Sequence, residues 1–256
     1  MKTKLIILGC GSSVGVPRID GFWGKCNKRN KKNSRTRCSA IIIKGNNSIL
    51  IDTSPDIKIQ LLSNKIKNIS SVLFTHEHAD QTNGIFELRP FFWKNKKKID
   101  IYGNFKTINF LRLRYEYLFK RISDYPPIIK ANIVKKKFFL GNKKEKVFFK
   151  SISAKHGKTQ SLIYLFEKIA YISDSKDLSI INLKDLKNLN YLIIDCLRFK
   201  KHPTHFNFDE ALFVHHCLKP KKTILTNLHH DIDYNFLLRK LPKNVLPAYD
   251  GLSINL

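Results

Sequence analysis

The sequence predicts an α/β fold in which two β-rich halves carry helices on their outer faces. Short apolar and β-branched runs, such as Lys4–Leu8 and Ser71–Phe74, are typical of buried strands. Longer segments with apolar residues at helical spacing, such as Phe105–Phe119, alternate with them. Sheets covered by helices bury the apolar faces of the strands and of the helices. A chain of 256 residues can form one domain, and we expect a single domain over positions 1–256.

In the first half, local patterns assign each element in turn. Lys4–Leu8 is the first strand and leads into the glycine-rich loop Gly9–Pro17. An Asn-rich turn joins strands Ser39–Lys44 and Ser48–Asp52, and Pro and Asp precede helix Ile57–Ser63. The later elements are strand Ser71–Phe74, helix Gly84–Trp93, strand Ile99–Tyr102, helix Phe105–Phe119 and loop Ser123–Ala131.

The second half is predicted by the same rules. Strands are expected at Phe148–Ser153, Ser161–Phe166, Ile169–Ser173 and Ile224–Thr226, and a helix followed by a strand at Ile180–Asp195. Helices are expected at Phe208–Cys217, capped by Asn207 or begun at Asp209, and at Tyr234–Arg239, where Asp231 and Asp233 are expected to cap the helix rather than to support the metal site. His156 is expected in a loop between two strands, and His215 and His216 at a helix surface.

A histidine motif follows the strand Ser71–Phe74 and suggests a metal site. In extended backbone, His76 and His78 point to the same side and can converge on one point. Asp80 is in phase with them and can orient a metal-bound water or bind a second metal. Three more candidates follow predicted strands, namely Asp52, His156 and Asp174.

These residues and their order resemble the metallo-β-lactamase superfamily of hydrolases. The resemblance implies an αββα sandwich, with two mixed sheets between outer layers of helix. The segments Leu8–Pro17, Asn33–Ser39 and Tyr249–Gly251 are similar to the PhnP-like branch, which comprises cyclic-phosphate phosphodiesterases related to the tRNA-processing nuclease RNase Z.

The resemblance also implies roles for the candidate residues. It implies a zinc or manganese ion on His76, His78, His156 and Asp174, with Asp80 orienting the attacking water or holding a second metal. It places Asp52 behind the histidine loop, held to it by hydrogen bonds.

Two positions depart from the family pattern, and both belong to the second metal. Gln81 and Asn227 stand where the family has histidines. Amide oxygens are weak ligands for zinc but tolerable for manganese or magnesium, and His229 or His230 offers a substitute. We therefore expect one firm metal and a second that is weak or absent.

Candidate substrate-binding groups lie outside the metal motif. The resemblance makes His205 the proton donor to the leaving alkoxide, with His202 as second choice. Arg35 and Arg37 would face the same side of a strand, where both could reach either phosphate or only water.

Composition limits the partners and the compartment. The formal net charge of +27 would suit nucleic acid. The excess lysine accompanies abundant Ile, Asn and Phe, which an AT-rich genome favours, so a small phosphorylated substrate is preferred over nucleic acid.

No apolar run approaches the ~20 residues of a membrane span, and five cysteines without a Cys-x-x-Cys pair favour the cytoplasm. The sequence leaves a homodimer open.

The function expected is hydrolysis of a small cyclic or nucleotide-like phosphodiester, with a metal lowering the pKa of its bound water towards ~7. Three alternatives stay open. They are an RNA-processing nuclease of RNase Z type, a single-metal thioester or lactone hydrolase that would not need His205, and a non-catalytic binding protein that uses the same cleft.

Overall fold

A computed structural model describes residues 1–176 and 186–256, and within them fourteen strands form two seven-stranded sheets. The first sheet contains, in spatial order, β14 (Leu252–Asn255), β1 (Thr3–Gly9), β2 (Ser39–Lys44), β3 (Asn47–Ile51), β4 (Ser71–Leu73), β5 (Ile99–Gly103) and β6 (Ile129–Ile133). The second contains β13 (Val245–Pro247), β12 (Lys222–Thr226), β11 (Tyr191–Asp195), β10 (Ile169–Ile172), β9 (Thr159–Phe166), β8 (Val147–His156) and β7 (Lys137–Leu140). Both sheets mix parallel and antiparallel pairs.

Seven α-helices are formed by the described residues. They are α1 (Ile57–Ser63), α2 (Ala79–Thr82), α3 (Arg89–Asn95), α4 (Phe105–Arg114), α5 (Glu116–Phe119), α6 (Phe208–Leu218) and α7 (Tyr234–Lys240). Short 3-10 turns form at Lys31–Asn33, Ile85–Leu88 and Lys143–Glu145.

The apolar core has three parts, as expected of a four-layer sandwich. Between the sheets, Ile7 and Ile42 of the first sheet belong to one cluster with Phe149 and Tyr164 of the second. A second cluster packs α6 against the outer face of the second sheet, and a third packs α1 and α4 against the outer face of the first. The predicted αββα sandwich of two mixed sheets is therefore confirmed.

Parallel neighbours bring the polar residues together. β10, β11 and β12 are parallel, so Asp174 and Asn227, which follow β10 and β12, and Asp195, which ends β11, lie at one edge of the second sheet. β3 and β4 are also parallel, and Asp52 and Thr75 follow them at the edge of the first sheet.

Several local predictions were wrong. The helix predicted over Phe105–Phe119 is interrupted at Tyr115, where φ is −124° and ψ is 41°. The loop predicted at Ser123–Ala131 includes the start of β6. His156 is the last residue of β8 rather than a loop residue. His215 is buried with its Nδ1 2.8 Å from Thr223 Oγ1, because its side of α6 faces the sheet.

Three further expectations concern element ends. The capping residue of α6 is Asn207, and Asp233 caps α7, with its side chain accepting the N–H of Phe236. The helix predicted at the beginning of Ile180–Asp195 falls largely on residues 177–185, outside the described residues, whereas the strand that follows it is β11.

Candidate metal centre

Three imidazoles gather where β4 and β8 end. The ring centroids are 4.5 Å apart for His76 and His78, 5.0 Å for His76 and His156, and 5.1 Å for His78 and His156. One nitrogen from each ring lies within 4.8 Å of the other two. This spacing suits nitrogen ligands of one divalent cation.

Hydrogen bonds determine which ring nitrogen of His156 and of His76 is free to bind a metal. His156 Nδ1 lies 2.8 Å from the carbonyl oxygen of Thr204, so Nδ1 carries the proton and Nε2 keeps its lone pair. His76 Nδ1 lies 3.0 Å from Thr75 Oγ1, whose hydroxyl donates to Asp52. Nδ1 of His76 therefore donates as well, which leaves its Nε2 for a metal.

Asp52 is buried behind the histidine loop. Its carboxylate accepts hydrogen bonds from the backbone N–H of Thr75 at 2.7 Å and from the Thr75 hydroxyl at 2.8 Å. Its backbone has φ of +60°, a left-handed conformation that Asp tolerates better than most residues. These bonds fix the residue from which His76 projects.

Asp174 provides a carboxylate beside the imidazoles. Its Oδ2 lies 3.7 Å from His76 Nε2, and the residue is 2% exposed. Burial raises its pKa well above the usual range, and burial lowers the pKa of His76 well below its usual value and that of His156 to about 4. Neutral imidazoles can ligate a metal at neutral pH, and a cation there would offset the cost of ionising the buried carboxylate. The residues therefore fit one divalent metal.

The position expected for a second metal is occupied by amide groups that donate hydrogen bonds. Gln81 Nε2 donates to Asp80 Oδ2 at 3.1 Å and to Asp174 Oδ2 at 3.0 Å. Asn227 Nδ2 donates to Asp174 Oδ1 at 2.6 Å and to Asp195 Oδ1 at 3.1 Å. If either amide were flipped, its oxygen would face a carboxylate oxygen and the two would repel each other. The hydrogen bonds therefore assign the amide nitrogen to the side that faces the carboxylates. In this arrangement both amides present N–H groups to Asp174, and the buried Oε1 of Gln81 has no hydrogen-bond partner among the described residues.

His205 lies next to the imidazole cluster, beside His156. Its ring is 4.7 Å from that of His156, and its Nδ1 is 2.8 Å from Asp195 Oδ2 and 3.4 Å from Asp174 Oδ1. Burial lowers the pKa of His205, but the charge and hydrogen bond of Asp195, helped by Asp174 and Asp80, outweigh it and raise that pKa to about 9. A raised pKa favours the imidazolium form of His205, which is the form that can donate a proton.

These groups line a cavity of about 310 Å³. His78, Asp80, His156, Asp174 and His205 contribute to its lining, as do His202, Asn227 and His229. The ring of His202 is 5.0 Å from that of His205. His229 has its Nδ1 3.2 Å from Asp231 Oδ2.

The structure does not bring the two arginines into this cavity. Arg35 is 1% exposed, and its guanidinium donates to the carbonyl oxygens of Ile232 at 2.8 Å and His229 at 3.3 Å. Arg37 forms an ion pair with Asp56, with Nε 3.0 Å from Oδ2. The expectation that both bind phosphate is therefore corrected: one anchors the backbone of the loop that carries His229, and the other pairs with a carboxylate.

Sequence reasoning missed four residues of the site. Asp195 was predicted only as a strand end, although a carboxylate after a parallel strand is a signal of the same kind as Asp174. Ser12 and Arg198 lie in segments that were singled out, but neither side chain was assigned to the cavity that it lines. Thr204 acts through its carbonyl oxygen, which side-chain identity does not reveal.

An αββα sandwich with histidines and aspartates at its strand ends defines a class of metal-dependent hydrolases. Residues 47–229 match the family model described as β-lactamase superfamily domain, and the chain belongs to this family. The whole chain also superposes on 98% of a new diphosphatase from the PhnP family, with a TM-score of 0.89 and 29% identity. The predicted superfamily and PhnP-like branch are thereby confirmed.

Two other proteins are also similar to the chain. Human tRNase Z, short form, has the same fold, with a TM-score of 0.68 and 16% identity over 98% of both chains. An octanoyltransferase of Porphyromonas gingivalis is 30% identical over 254 residues. The aligned region covers 97% of this chain. The chain spans only about half, 51%, of the length of that curated relative.

Within the described residues, no helix has both the length and the apolar character needed to cross a membrane.

Proposed function

We propose that the chain hydrolyses phosphoric esters of small cyclic or nucleotide-like molecules with one zinc or manganese ion, held by His76, His78, His156 and Asp174. The observation that carries this proposal is the position of His205 beside the imidazole cluster, with its ring 4.7 Å from that of His156 between centroids and its Nδ1 2.8 Å from Asp195 Oδ2, which raises its pKa. A metal site beside a proton donor suits hydrolysis of an ester whose leaving oxygen needs a proton.

Each side chain has a distinct task in this proposal. The cation, when bound, would polarise the phosphoryl oxygen and lower the pKa of a water molecule. Asp80 at the cavity wall orients the attacking water and accepts its proton. His205 gives its Nε2 proton to the leaving oxygen, and Asp195 holds the ring by its Nδ1.

The comparison with the diphosphatase supports a phosphoryl substrate, because that relative is similar over the full chain. The tRNase Z similarity is in fold alone. A thioester or lactone hydrolase is the second candidate, because the amide groups of Gln81 and Asn227 leave one metal site and carbonyl hydrolysis could work with one.

The test uses metal-loaded protein with bis(p-nitrophenyl) phosphate, a thioester and a lactone as substrates. We expect the protein to hydrolyse the phosphodiester. A chelator should abolish this activity, and added zinc or manganese should restore it. His76→Ala should abolish this activity, and His216→Ala, which changes an exposed histidine of α6, should not. Metal-dependent hydrolysis of the thioester or lactone alone would reject the phosphoric ester assignment and favour the second candidate.

A further inference from the structure

Glu77 is a buried carboxylate that has no task in the proposed reaction. It lies in the histidine loop, residues 75–78, between His76 and His78, which both belong to the imidazole cluster. Glu77 is 8% exposed, although acidic side chains are rarely buried unless they are paired. A buried carboxylate is stable only where donors surround it, so its partners show what the side chain is tied to.

Three donors surround this carboxylate. Its Oε1 accepts a hydrogen bond from the Thr159 hydroxyl and lies 2.7 Å from Nζ of Lys106. Its Oε2 accepts a hydrogen bond from the Thr107 hydroxyl at 3.3 Å. Nζ of Lys106 also donates to Thr159 Oγ1 at 3.0 Å. Lys106 and Thr107 belong to the first turn of α4, and Thr159 is the first residue of β9. Glu77 therefore joins the histidine loop to one helix and one strand.

Thr159 connects Glu77 to the third imidazole of the cluster. β8 and β9 are antiparallel, and Thr159 lies opposite His156 in their register. The position of Thr159 therefore determines where the backbone of His156 lies. The histidine loop follows a strand of the first sheet, and His156 ends a strand of the second. The hydrogen bond between Glu77 and Thr159 thus connects the two sources of imidazole.

A backbone hydrogen bond holds β9 to the histidine loop farther from the hairpin turn. The N–H of Leu162 donates to the carbonyl oxygen of Thr75 at 2.9 Å. Leu162 lies three positions beyond Thr159 in β9, so this bond is away from the end of the hairpin that carries His156. Glu77 provides a buried side-chain contact at that end.

We propose that Glu77 is a positioning residue: by accepting the hydrogen bond of Thr159, it sets the distance of His156 from the other two imidazoles and thereby raises the affinity for the metal. This inference rests on the metal site of the proposed function and is independent of the substrate. Nitrogen ligands bind zinc at about 2.0–2.1 Å, so a displaced imidazole loses its bond. Groups that hold metal ligands in place typically change metal affinity by about 10–100-fold when they are removed.

The experiment measures zinc affinity by competition with a chromophoric chelator in a double-mutant cycle. Thr159→Val keeps the shape of the side chain and removes its hydroxyl, and Glu77→Ala removes the carboxylate. We expect each change to weaken zinc binding by about tenfold or more. The double variant should lose no more affinity than Glu77→Ala alone, because both changes break the same hydrogen bond.

Glu77→Gln is the conservative variant. Its amide oxygen can take the place of Oε1 and accept from both Thr159 and Lys106, so it should recover most of the zinc affinity that Glu77→Ala loses. Absorption spectra of the cobalt-loaded protein report the geometry of the ligands. The visible bands should change in Thr159→Val and stay as in the unmodified protein in Glu77→Gln.

Thr3→Val is the matched control for Thr159→Val. Thr3 is another buried threonine whose hydroxyl donates to a glutamate, Glu167, at 3.4 Å. It begins β1, at the end opposite to the glycine-rich loop that lines the cavity. Thr3→Val should therefore keep the zinc affinity and the cobalt spectrum of the unmodified protein.

Urea unfolding of the metal-free variants separates positioning from folding. A role in folding alone would lower the free energy of unfolding but leave the zinc affinity and cobalt spectrum of folded Thr159→Val unchanged, and that result would overturn the proposal. Losses of zinc affinity that multiply in the double variant would also overturn it. If Glu77→Ala does not fold, Thr159→Val decides by its zinc affinity and cobalt spectrum. These measurements need no turnover, so a protein with the expected zinc affinities that leaves the phosphodiester intact would refute the proposed function alone.

Discussion

His205 is the residue whose charge most clearly depends on its surroundings. Two buried carboxylates, those of Asp195 and Asp174, lie within 3.4 Å of its Nδ1. They favour the protonated form that burial alone would disfavour, and His205 lines the cavity. A proton donor matters most when the leaving group is a poor one.

His205→Ala should therefore show a dependence on the leaving group. With an alkyl phosphodiester, whose alkoxide needs a proton, kcat should fall by about 10²–10³. With bis(p-nitrophenyl) phosphate the fall should be much smaller, because p-nitrophenolate leaves without a proton. Steady-state kinetics and elemental analysis of the same samples check this, and a uniform fall accompanied by metal loss would contradict it.

Asp52 acts on the metal through the hydrogen bonds that it accepts from Thr75. Asp52→Ala leaves the N–H and hydroxyl of Thr75 unpaired in the core, so unfolding free energy should fall by about 2 kcal/mol or more. Metal affinity should also fall, by roughly 10–100-fold, because His76 loses the support of its tautomer. Urea unfolding and chelator competition measure the two effects.

Asp52→Asn is the matched control for this change. Asparagine has the size of aspartate, keeps one oxygen that can accept a hydrogen bond from Thr75, and also tolerates a left-handed backbone. The losses of unfolding free energy and of metal affinity should therefore be smaller than in Asp52→Ala. Unchanged metal affinity in Asp52→Ala would show that Thr75 positions His76 without the carboxylate.

The residue scale also shows where sequence reasoning stops. His76, His78 and Asp80 were found because alternation along a strand places them on one side. Arg35 was misassigned because its partners, the carbonyl oxygens of His229 and Ile232, are about 200 positions away in the chain and belong to the backbone. Side-chain identity carries no information on such partners.

At the scale of elements, the start of α6 fixes the loop that carries His205. Asn207 accepts the N–H of Glu210, and Glu210 accepts the N–H of Asn207, which forms a capping box. Asn207 also donates to the carbonyl oxygen of Phe199. The cap therefore ties the helix to the segment that precedes it.

Asn207→Ala should lower the free energy of unfolding by about 1–2 kcal/mol, the usual cost of removing an N-cap side chain. Asn235→Ala, an exposed position in α7, should change it by less than about 0.5 kcal/mol. Urea denaturation of both variants checks the difference. Equal stabilities would mean that the capping box contributes nothing to α6.

Elements with strong apolar patterns were predicted well, and those at sheet edges were not. The prediction for β2, Ser39–Lys44, matches its bounds, because its apolar run is central in the sheet. β6 and β7 are edge strands with lysines and mostly exposed or half-buried positions, so their sequences resemble solvated loops. The apolar spacing continues across Tyr115, so the helical pattern did not indicate the break there.

At the scale of the whole molecule, the metal ligands come from both halves. His76 and His78 follow a strand of the first sheet, and His156 and Asp174 belong to the ends of strands of the second. One ion bound by all four would join the two sheets across their interface. Binding that requires both halves in place stabilises the folded state.

Metal should therefore raise the thermal stability of the protein. At free metal about 100-fold above its dissociation constant, the gain is ~2.7 kcal/mol. His156→Ala should remove most of this gain, because it deletes the imidazole that comes from the second sheet, and His216→Ala should retain it. Melting curves with metal and with chelator measure the shift, and an undiminished shift in His156→Ala would contradict a site shared by the two sheets.

The central proposal is that one metal binds and that the amide groups of Gln81 and Asn227 take the place of a second; metal content per chain tests it most directly. Elemental analysis of protein purified without chelator should give about one ion, since Gln81 and Asn227 present N–H groups to the carboxylates. The double variant Gln81→His/Asn227→His should give about two, because imidazoles supply the missing ligands. About two ions in the unmodified protein would contradict the claim.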